Sequence, residues 1–285
     1  MRLAVLADIH GSMPALEAVL NNLRQSHPDG TIVAGDMVGG PNSAEVVHRL
    51  QSLECWMIRG NNENYLLRFD SGEAPAWWYT SHQWAFSRWV YEHADKVMLS
   101  IIRGLPEQQV IAIPGTDPIR VVHGSPRDPN EHLYPGYEAT PLEIALEQTC
   151  EPVLVCGHTH IPWQERKDSQ LAFNPGAVCS PLNGDKGAQY ALLDWRNGRW
   201  ELEHRSVEYD FTLIQKAYQE SGLLEKGGAF ARAVLLDIQN GSNVTMEFLS
   251  YAFQKAAQAG FPDCEYIPDK VWDRAAETFD WKEEI

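Results

Sequence analysis

The chain has 285 residues, 44% hydrophobic and 22% charged, enough for a substantial buried core and unlike a disordered segment. Its 39 acidic against 23 basic side chains leave a formal net charge of -16, a field that argues against nucleic acid and anionic membrane as partners. Small phosphate-ester substrates stay open, because bound cations reverse the sign of the field locally.

Residues 3–7 (LAVLA) form an apolar run without alternation, which predicts a strand buried on both faces. After the polar turn Asp8-Ile9-His10-Gly11 a helix is predicted, with Leu16, Val19, Leu20 and Leu23 on one face. The unit then repeats: a strand at 31–34, a loop at 35–41, a helix at 44–50 and a strand at 56–58 that ends at Arg59-Gly60. Strands and helices alternating in this way predict parallel strands joined by helical crossovers. Residues 63–97 read as helical and carry Trp77, Trp78, Trp84 and Trp89, which are read first as packing and second as a base-stacking, substrate-facing wall.

Strands are predicted at 109–113, 120–122 and 153–155, with a helix over 141–149. A hairpin is predicted from 188–195 and 200–206 around the turn Asn197-Gly198. Two sheets with helices outside accommodate this order. Beyond 207 the pattern is helical: Leu213, Ile214, Ala217 and Tyr218 share a face, and Gly222 is a plausible stop. Further helices are predicted around 229–238 and 245–259, the last turning Phe248, Leu249, Ala252, Phe253 and Ala256 inward. This divides the chain into a main domain over 1–207 and a helical annex over 208–285, which serves as a lid, as packing or as a homodimer seam.

The cysteines Cys55, Cys150, Cys156, Cys179 and Cys264 are odd in number and form no CxxC pair. Buried free thiols and a reducing compartment are expected. The run at 3–7 is too short for a secretory signal, and nothing approaches the roughly 20 apolar residues of a membrane span, so a cytoplasmic location is expected.

The chemistry lies where apolar runs stop. Asp8 and His10 follow the first strand, Asp36 the second, Asn61 the third, His123 a later one, and His158 and His160 another. In an open α/β sheet the loops at the carboxyl ends of strands meet in one crevice, so these seven donors can converge. Nitrogen and oxygen donors of this kind suit one or two borderline divalent ions. Each motif alone also reads as a strand-end cap, an ordinary turn or a surface histidine; the ordered set is what points to a metal centre.

Six blocks carry a resemblance: DIHG from Asp8, GDMVG from Gly35, GNNE from Gly60, VVHGSPRDP from Val121, GHTH from Gly157 and NPGAV from Asn174. In this order they resemble the calcineurin-like metallophosphoesterase superfamily, particularly its small bacterial and archaeal phosphodiesterase branch. The resemblance covers about residues 1–207 and implies an α/β, four-layer α-β-β-α sandwich, to which the C-terminal helical annex is added. It implies two divalent metal ions as cofactors, Mn²⁺ first and Fe, Zn, Ni or Co as alternatives. Asp8, His10, Asp36 and His160 would hold one ion, and Asp36, Asn61, His123 and His158 the other, with Asp36 bridging. The implied activity is hydrolysis of phosphate esters, diesters slightly ahead of monoesters, by in-line attack of a metal-bridging hydroxide. A protein phosphatase, and a binding or scaffold protein like a related retromer subunit, are the other readings.

Asp36, Asn61, His123 and Arg127 are the expected catalytic residues. Arg127 is read either as a substrate contact or as a salt bridge to Asp128 or Glu131. Many relatives have histidine where this chain has Asn62, whose amide is no general acid, which favours esters with good leaving groups or protonation by water or another side chain. Glu63 is read first as a stabiliser of the loop or helix start and second as a base, and residues 174–176 as shaping the loop beneath the metals. Near Leu182, where relatives often carry arginine, a phosphate grip is missing.

Overall fold

Strand β1 (Arg2–Leu6) is buried on both faces, and its side-chain alternation divides the interior in two. Leu3 and Val5 point into a core shared with Ile119, Val121, Val153, Val155 and Phe173. Ala4 and Leu6 point the other way, onto Leu16 and Val19 of α1 (Met13–Ser26). The continuous apolar run is thus the signature of a strand between two cores. This computed structural model describes residues 1–136 and 141–282.

From β1 and α1 the chain continues through β2 (Gly30–Val33), α2 (Ser43–Gln51), β3 (Trp56–Met57) and α3 (Asn61–Ser71). A single 3₁₀ turn (Ala76–Tyr79), α4 (Ala85–Glu92) and α5 (Lys96–Gly104) follow, where the sequence predicts one helical region. Next come β4 (Gln109–Ile111), β5 (Ile119–Val121), α6 (Pro141–Glu147), β6 (Val153–Val155), β7 (Trp163–Lys167) and β8 (Gln170–Asn174). The hairpin β9 (Ala188–Arg196) and β10 (Arg199–Val207) precedes the helices α7 (Phe211–Glu220), α8 (Leu223–Lys226), α9 (Gly228–Asn240), α10 (Val244–Gln258) and α11 (Asp269–Thr278).

Two five-stranded sheets, ordered β10-β9-β1-β2-β3 and β4-β5-β6-β8-β7, face each other across the first core. Strands β1, β2 and β3 are parallel, as are β5, β6 and β8, while β9 returns antiparallel to β1. Leu142, Ala145 and Leu146 of α6 cover the outer face of the second sheet, completing the α-β-β-α layering. The carboxyl ends of β1, β2, β3, β5 and β6 lead into the loops that carry the predicted donors.

The C-terminal helices pack in two groups. Ile214, Tyr218, Leu223, Ala231, Leu235 and Ile238 join the outer core of the first sheet, and a separate core gathers around Phe248 and Trp272. Gly222 adopts the left-handed conformation (φ 78°) of a helix stop. Phe253, expected to face inward, is instead 39% exposed. Among the described residues no helix is long and apolar enough to cross a membrane. All five cysteines are free; Cys156 and Cys179 are buried, whereas Cys150 is exposed, because the chain has already left α6 there.

Candidate metal centre

The loops at the strand ends are fastened to one another before any side chain is considered. The Asp36 carbonyl accepts the N–H groups of Ile9 and His10, at 2.8 and 3.0 Å; the Asp8 carbonyl accepts from Cys179, and the His123 carbonyl from Gly157. Gly60 is required by close approach: a β-carbon there would stand 2.2 Å from an Asp36 carboxylate oxygen. Five of the seven predicted donors, Asp8, His10, Asp36, His158 and His160, have left-handed backbone, with φ between 46° and 68°. For residues other than glycine this costs on the order of 1–3 kcal/mol each, and it turns their side chains into a common space.

Two triads of donor atoms result, Asp8-His10-His160 and Asp8-Asp36-His123, each with its atoms within 4.8 Å of one another. Asp8 belongs to both. The Asp36 Oδ2 also reaches across, standing 3.4 Å from His123 Nε2 and 3.8 Å from His10 Nε2. Asn61 Oδ1 lies 2.9 Å from His123 Nε2. His158 enters neither triad; its backbone N–H donates to the Asp8 carboxylate, and its ring packs edgewise on His123 with centroids 5.2 Å apart.

The imidazoles are oriented by backbone carbonyls. His123 Nδ1 is 2.8 Å from the Ala34 carbonyl, His160 Nδ1 is 2.7 Å from that of Ser180, and His158 Nε2 is 3.1 Å from that of Asn130. Each such bond takes one ring N–H, so that in the neutral ring the other nitrogen is a lone-pair donor. His10 is tied to the Val38 backbone. Its Nε2 nevertheless stands 2.9 Å from His160 Nε2. Two neutral rings arranged in this way set lone pair against lone pair, a contact that a cation between them relieves.

Protons are poorly suited to that role. Burial lowers the His160 pKa to about 3, with His10 opposing its charge as well, and burial also lowers His10. His158 is likewise lowered to about 4 by burial. Burial raises Asp8 to about 8 and Glu63 to about 7. Against burial, the charges of Asp36 and Asp8 raise His123 to about 10, and its imidazolium holds Asp36 below the usual carboxylate range. Two buried carboxyl groups, Asp8 and Asp36, thus face one buried imidazolium. Oxygen and imidazole donors short of positive charge fit divalent cations, which would displace the His123 proton and draw in Asn61 Oδ1.

The remaining predicted residues are placed as follows. Both Glu63 oxygens accept backbone N–H groups, from Met37 and Val38 at one and from Asp36 and Gly60 at the other. The Asn174 amide donates to the Gly157 carbonyl at 2.6 Å and to Thr159 Oγ1, and its oxygen accepts from Gly176. Asn62 donates through its backbone N–H and its side chain to the Asp36 carboxylate. Arg127 departs from the substrate-contact reading: its guanidinium is held by Glu131, Gln148 and the Pro141 carbonyl. It does not line the cleft that opens beside the donors.

That cleft has a volume of about 300 Å³ and runs from His10, Asp36, Asn61, His158 and His160 to the C-terminal helices. The tryptophans of residues 77–89 are outside its lining. Trp78 stacks on Trp84 at 3.6 Å and Trp77 on Tyr266 at 5.1 Å, which is packing between elements. Sequence reasoning missed His132, whose ring stacks on His158 at 4.8 Å, and the carbonyls of Ala34, Asn130 and Ser180. Carbonyls carry no sequence signal; His132 carries only its place in the loop after His123.

The model of the calcineurin-like phosphoesterase superfamily domain matches residues 1–198. An uncharacterised protein of Methanocaldococcus jannaschii is 27% identical over 236 residues, 76% of this chain and 90% of its own length. The phosphodiesterase YfcE of Escherichia coli is 30% identical over 205 residues, 68% of this chain and 88% of its own. Among solved structures, a metallophosphoesterase from Sphaerobacter thermophilus superposes with a TM-score of 0.66 at 25% identity, over 85% of this chain and all (100%) of its own. A hypothetical protein from Pyrococcus horikoshii, 22% identical over 85% of this chain and 99% of its own, shares the fold with a TM-score of 0.69. With two-thirds of its length matched and the donor set gathered in one place, the chain belongs to the calcineurin-like phosphoesterase superfamily.

Proposed function

We propose that this chain hydrolyses small phosphate esters, diesters ahead of monoesters, with two divalent metal ions held by Asp8, His10, Asp36, Asn61, His123, His158 and His160. The observation that carries the reading is the facing pair of His10 and His160 nitrogens, 2.9 Å apart, beside two buried carboxylates. When bound, two cations polarise the phosphoryl oxygens and lower the pKa of a water, generating the nucleophile at neutral pH. The mixed carboxylate, amide and imidazole donors support Mn²⁺ as the resident ion.

The protein's own contribution is orientation and charge. The Ala34, Asn130 and Ser180 carbonyls set which nitrogen of each imidazole points inward. Asn61 places its oxygen at the centre, 2.9 Å from His123 Nε2. Asn62 steadies Asp36 and offers no proton to a leaving oxygen, which supports esters with good leaving groups. No lysine or arginine lines the cleft among the described residues, so a monoanionic diester is accommodated more readily than a dianionic monoester. The name of the Escherichia coli relative, a phosphodiesterase, supports the same choice and membership of the small bacterial and archaeal branch. The free thiols support a reducing, cytoplasmic setting.

The test is hydrolysis of bis(p-nitrophenyl) phosphate and p-nitrophenyl phosphate after chelation and after Mn²⁺ is restored, in wild type, Asp36→Ala and His158→Ala. Turnover that returns with Mn²⁺ in wild type and falls on the order of a hundredfold in both variants is expected. Metal-independent turnover, or equal rates in all three proteins, would defeat the reading.

A further inference from the structure

Besides the metal ligands, the cleft is lined by apolar side chains from distant parts of the chain. Phe86 of α4 and Phe230 of α9 meet with ring centroids 5.5 Å apart, and Val234 of α9, Leu182 and Met246 of α10 extend the same apolar lining. Met246 is 50% exposed although it is a large apolar side chain. The buried Asp237 carboxylate, which accepts the N–H groups of Val244 and Thr245, also lines the cleft. The cleft therefore joins the polar metal ligands to an apolar flank of Phe86, Leu182, Phe230, Val234 and Met246.

We propose that this flank is the specificity subsite for the organic part of the substrate: it takes a flat, uncharged group against Phe86, Phe230, Leu182 and Met246. The inference rests on the phosphoesterase reading for the position of the phosphoryl group, and it gives the C-terminal helices a role in substrate choice. A flat ring buries apolar area against the Phe86–Phe230 pair that a methyl group cannot reach.

The experiment compares p-nitrophenyl phenylphosphonate with p-nitrophenyl methylphosphonate on the Mn²⁺-loaded protein. The two share leaving group and charge, and each kcat/KM is divided by the rate of uncatalysed hydrolysis of the same ester, because phenyl and methyl also act differently on phosphorus itself. In wild type kcat/KM is expected to favour the phenyl ester by about tenfold or more, the size of effect that apolar pockets give. Phe230→Ala and Met246→Ala are each expected to reduce that ratio about threefold or more. The exposed Met246 can be shortened without opening the core, so its variant reads the flank even where Phe230→Ala unfolds. A ratio near one in wild type, or a ratio unmoved by Met246→Ala, overturns the proposal. Calorimetric binding of phenylphosphonate and methylphosphonate separates the two claims. If neither ester is turned over but phenylphosphonate still binds preferentially, and Met246→Ala removes that preference, the subsite stands and the hydrolase reading falls. Equal binding of the two overturns the subsite.

Discussion

The Glu63 carboxylate accepts the backbone N–H of Asp36 at 2.9 Å, and with it the N–H groups of Met37, Val38 and Gly60. One fully buried side chain from the first turn of α3 thus holds the loop that presents Asp36 and the glycine that Asp36 packs against. Each oxygen has two donors, so an amide cannot substitute: in Glu63→Gln an NH₂ group would face two N–H groups. Glu63→Gln is expected to lose about 3 kcal/mol or more of stability in urea unfolding, and to bind Mn²⁺ more weakly than wild type. A variant of wild-type stability and metal affinity would show that the four bonds are dispensable.

Metal should act as a stabilising ligand, because the folded chain presents the assembled donors and the unfolded chain does not. At a hundredfold excess over Kd the gain is about 2.7 kcal/mol, or roughly 4–5 °C in Tm for a chain of this size. The rise on adding Mn²⁺ to chelated protein is expected to shrink in His160→Ala, since His160 Nε2 is 3.6 Å from Asp8 Oδ1 as well as facing His10. Differential scanning fluorimetry measures both. A Tm insensitive to metal would count against an assembled centre.

Asp237 imposes a pH dependence of its own. Burial raises its pKa from the ordinary 3.8 to about 7, with Glu247 adding to the rise and the N–H groups of Val244 and Thr245 opposing it. Between these values the folded chain keeps a proton that the unfolded chain has lost, so stability falls as pH rises through the window. Asp237→Asn retains an acceptor for the N–H groups and removes the titration. Its Tm is expected to gain on that of wild type between pH 4.5 and 7.5, by about several degrees. The raised carboxylates Asp8 and Glu63 are present in both proteins and cancel in the difference. A constant gap across the range would show that Asp237 does not titrate there.

Asn62 sets the demand on the leaving group. Its donors are engaged by Asp36, and its amide has no proton to give near neutral pH. Rates for a series of aryl esters are therefore expected to fall steeply as the leaving phenol becomes less acidic. Asn62→His is expected to flatten that dependence, raising the slowest substrates relative to the p-nitrophenyl ester by about tenfold or more. Identical slopes in the two proteins would mean that protonation comes from elsewhere.

Much of this centre was legible because each donor stands where an apolar run stops. Asp8, Asp36 and His123 announce strand ends, and parallel β-α repeats bring strand ends together. The hairpin β7–β8 was not legible: Trp163–Lys167 reads WQERK, a charged edge strand without the alternation of a half-buried one. Nor was the helix α11, whose Trp272 and Ala275 bury against Phe248 across a fold that local pattern does not reveal. Phe253 fits the helical period of α10 yet faces solvent, because the apolar stripe predicted there is wider than its partner helices cover. The meeting of Phe86 with Phe230, and of His132 with His158, depends on tertiary path alone. Arg127 shows the converse, a residue within a recognisable block whose nearest charge, Glu131, takes its side chain.

The central claim is that separate stretches of chain assemble one pocket for two cations. Equilibrium dialysis against Mn²⁺ with elemental analysis of the protein tests it most directly. Wild type is expected to retain two ions per chain, and Asp36→Ala, which loses the carboxylate between His10 and His123, to retain fewer than one. Correctly folded wild type that retains none, or an Asp36→Ala protein that retains as many as wild type, would contradict the account.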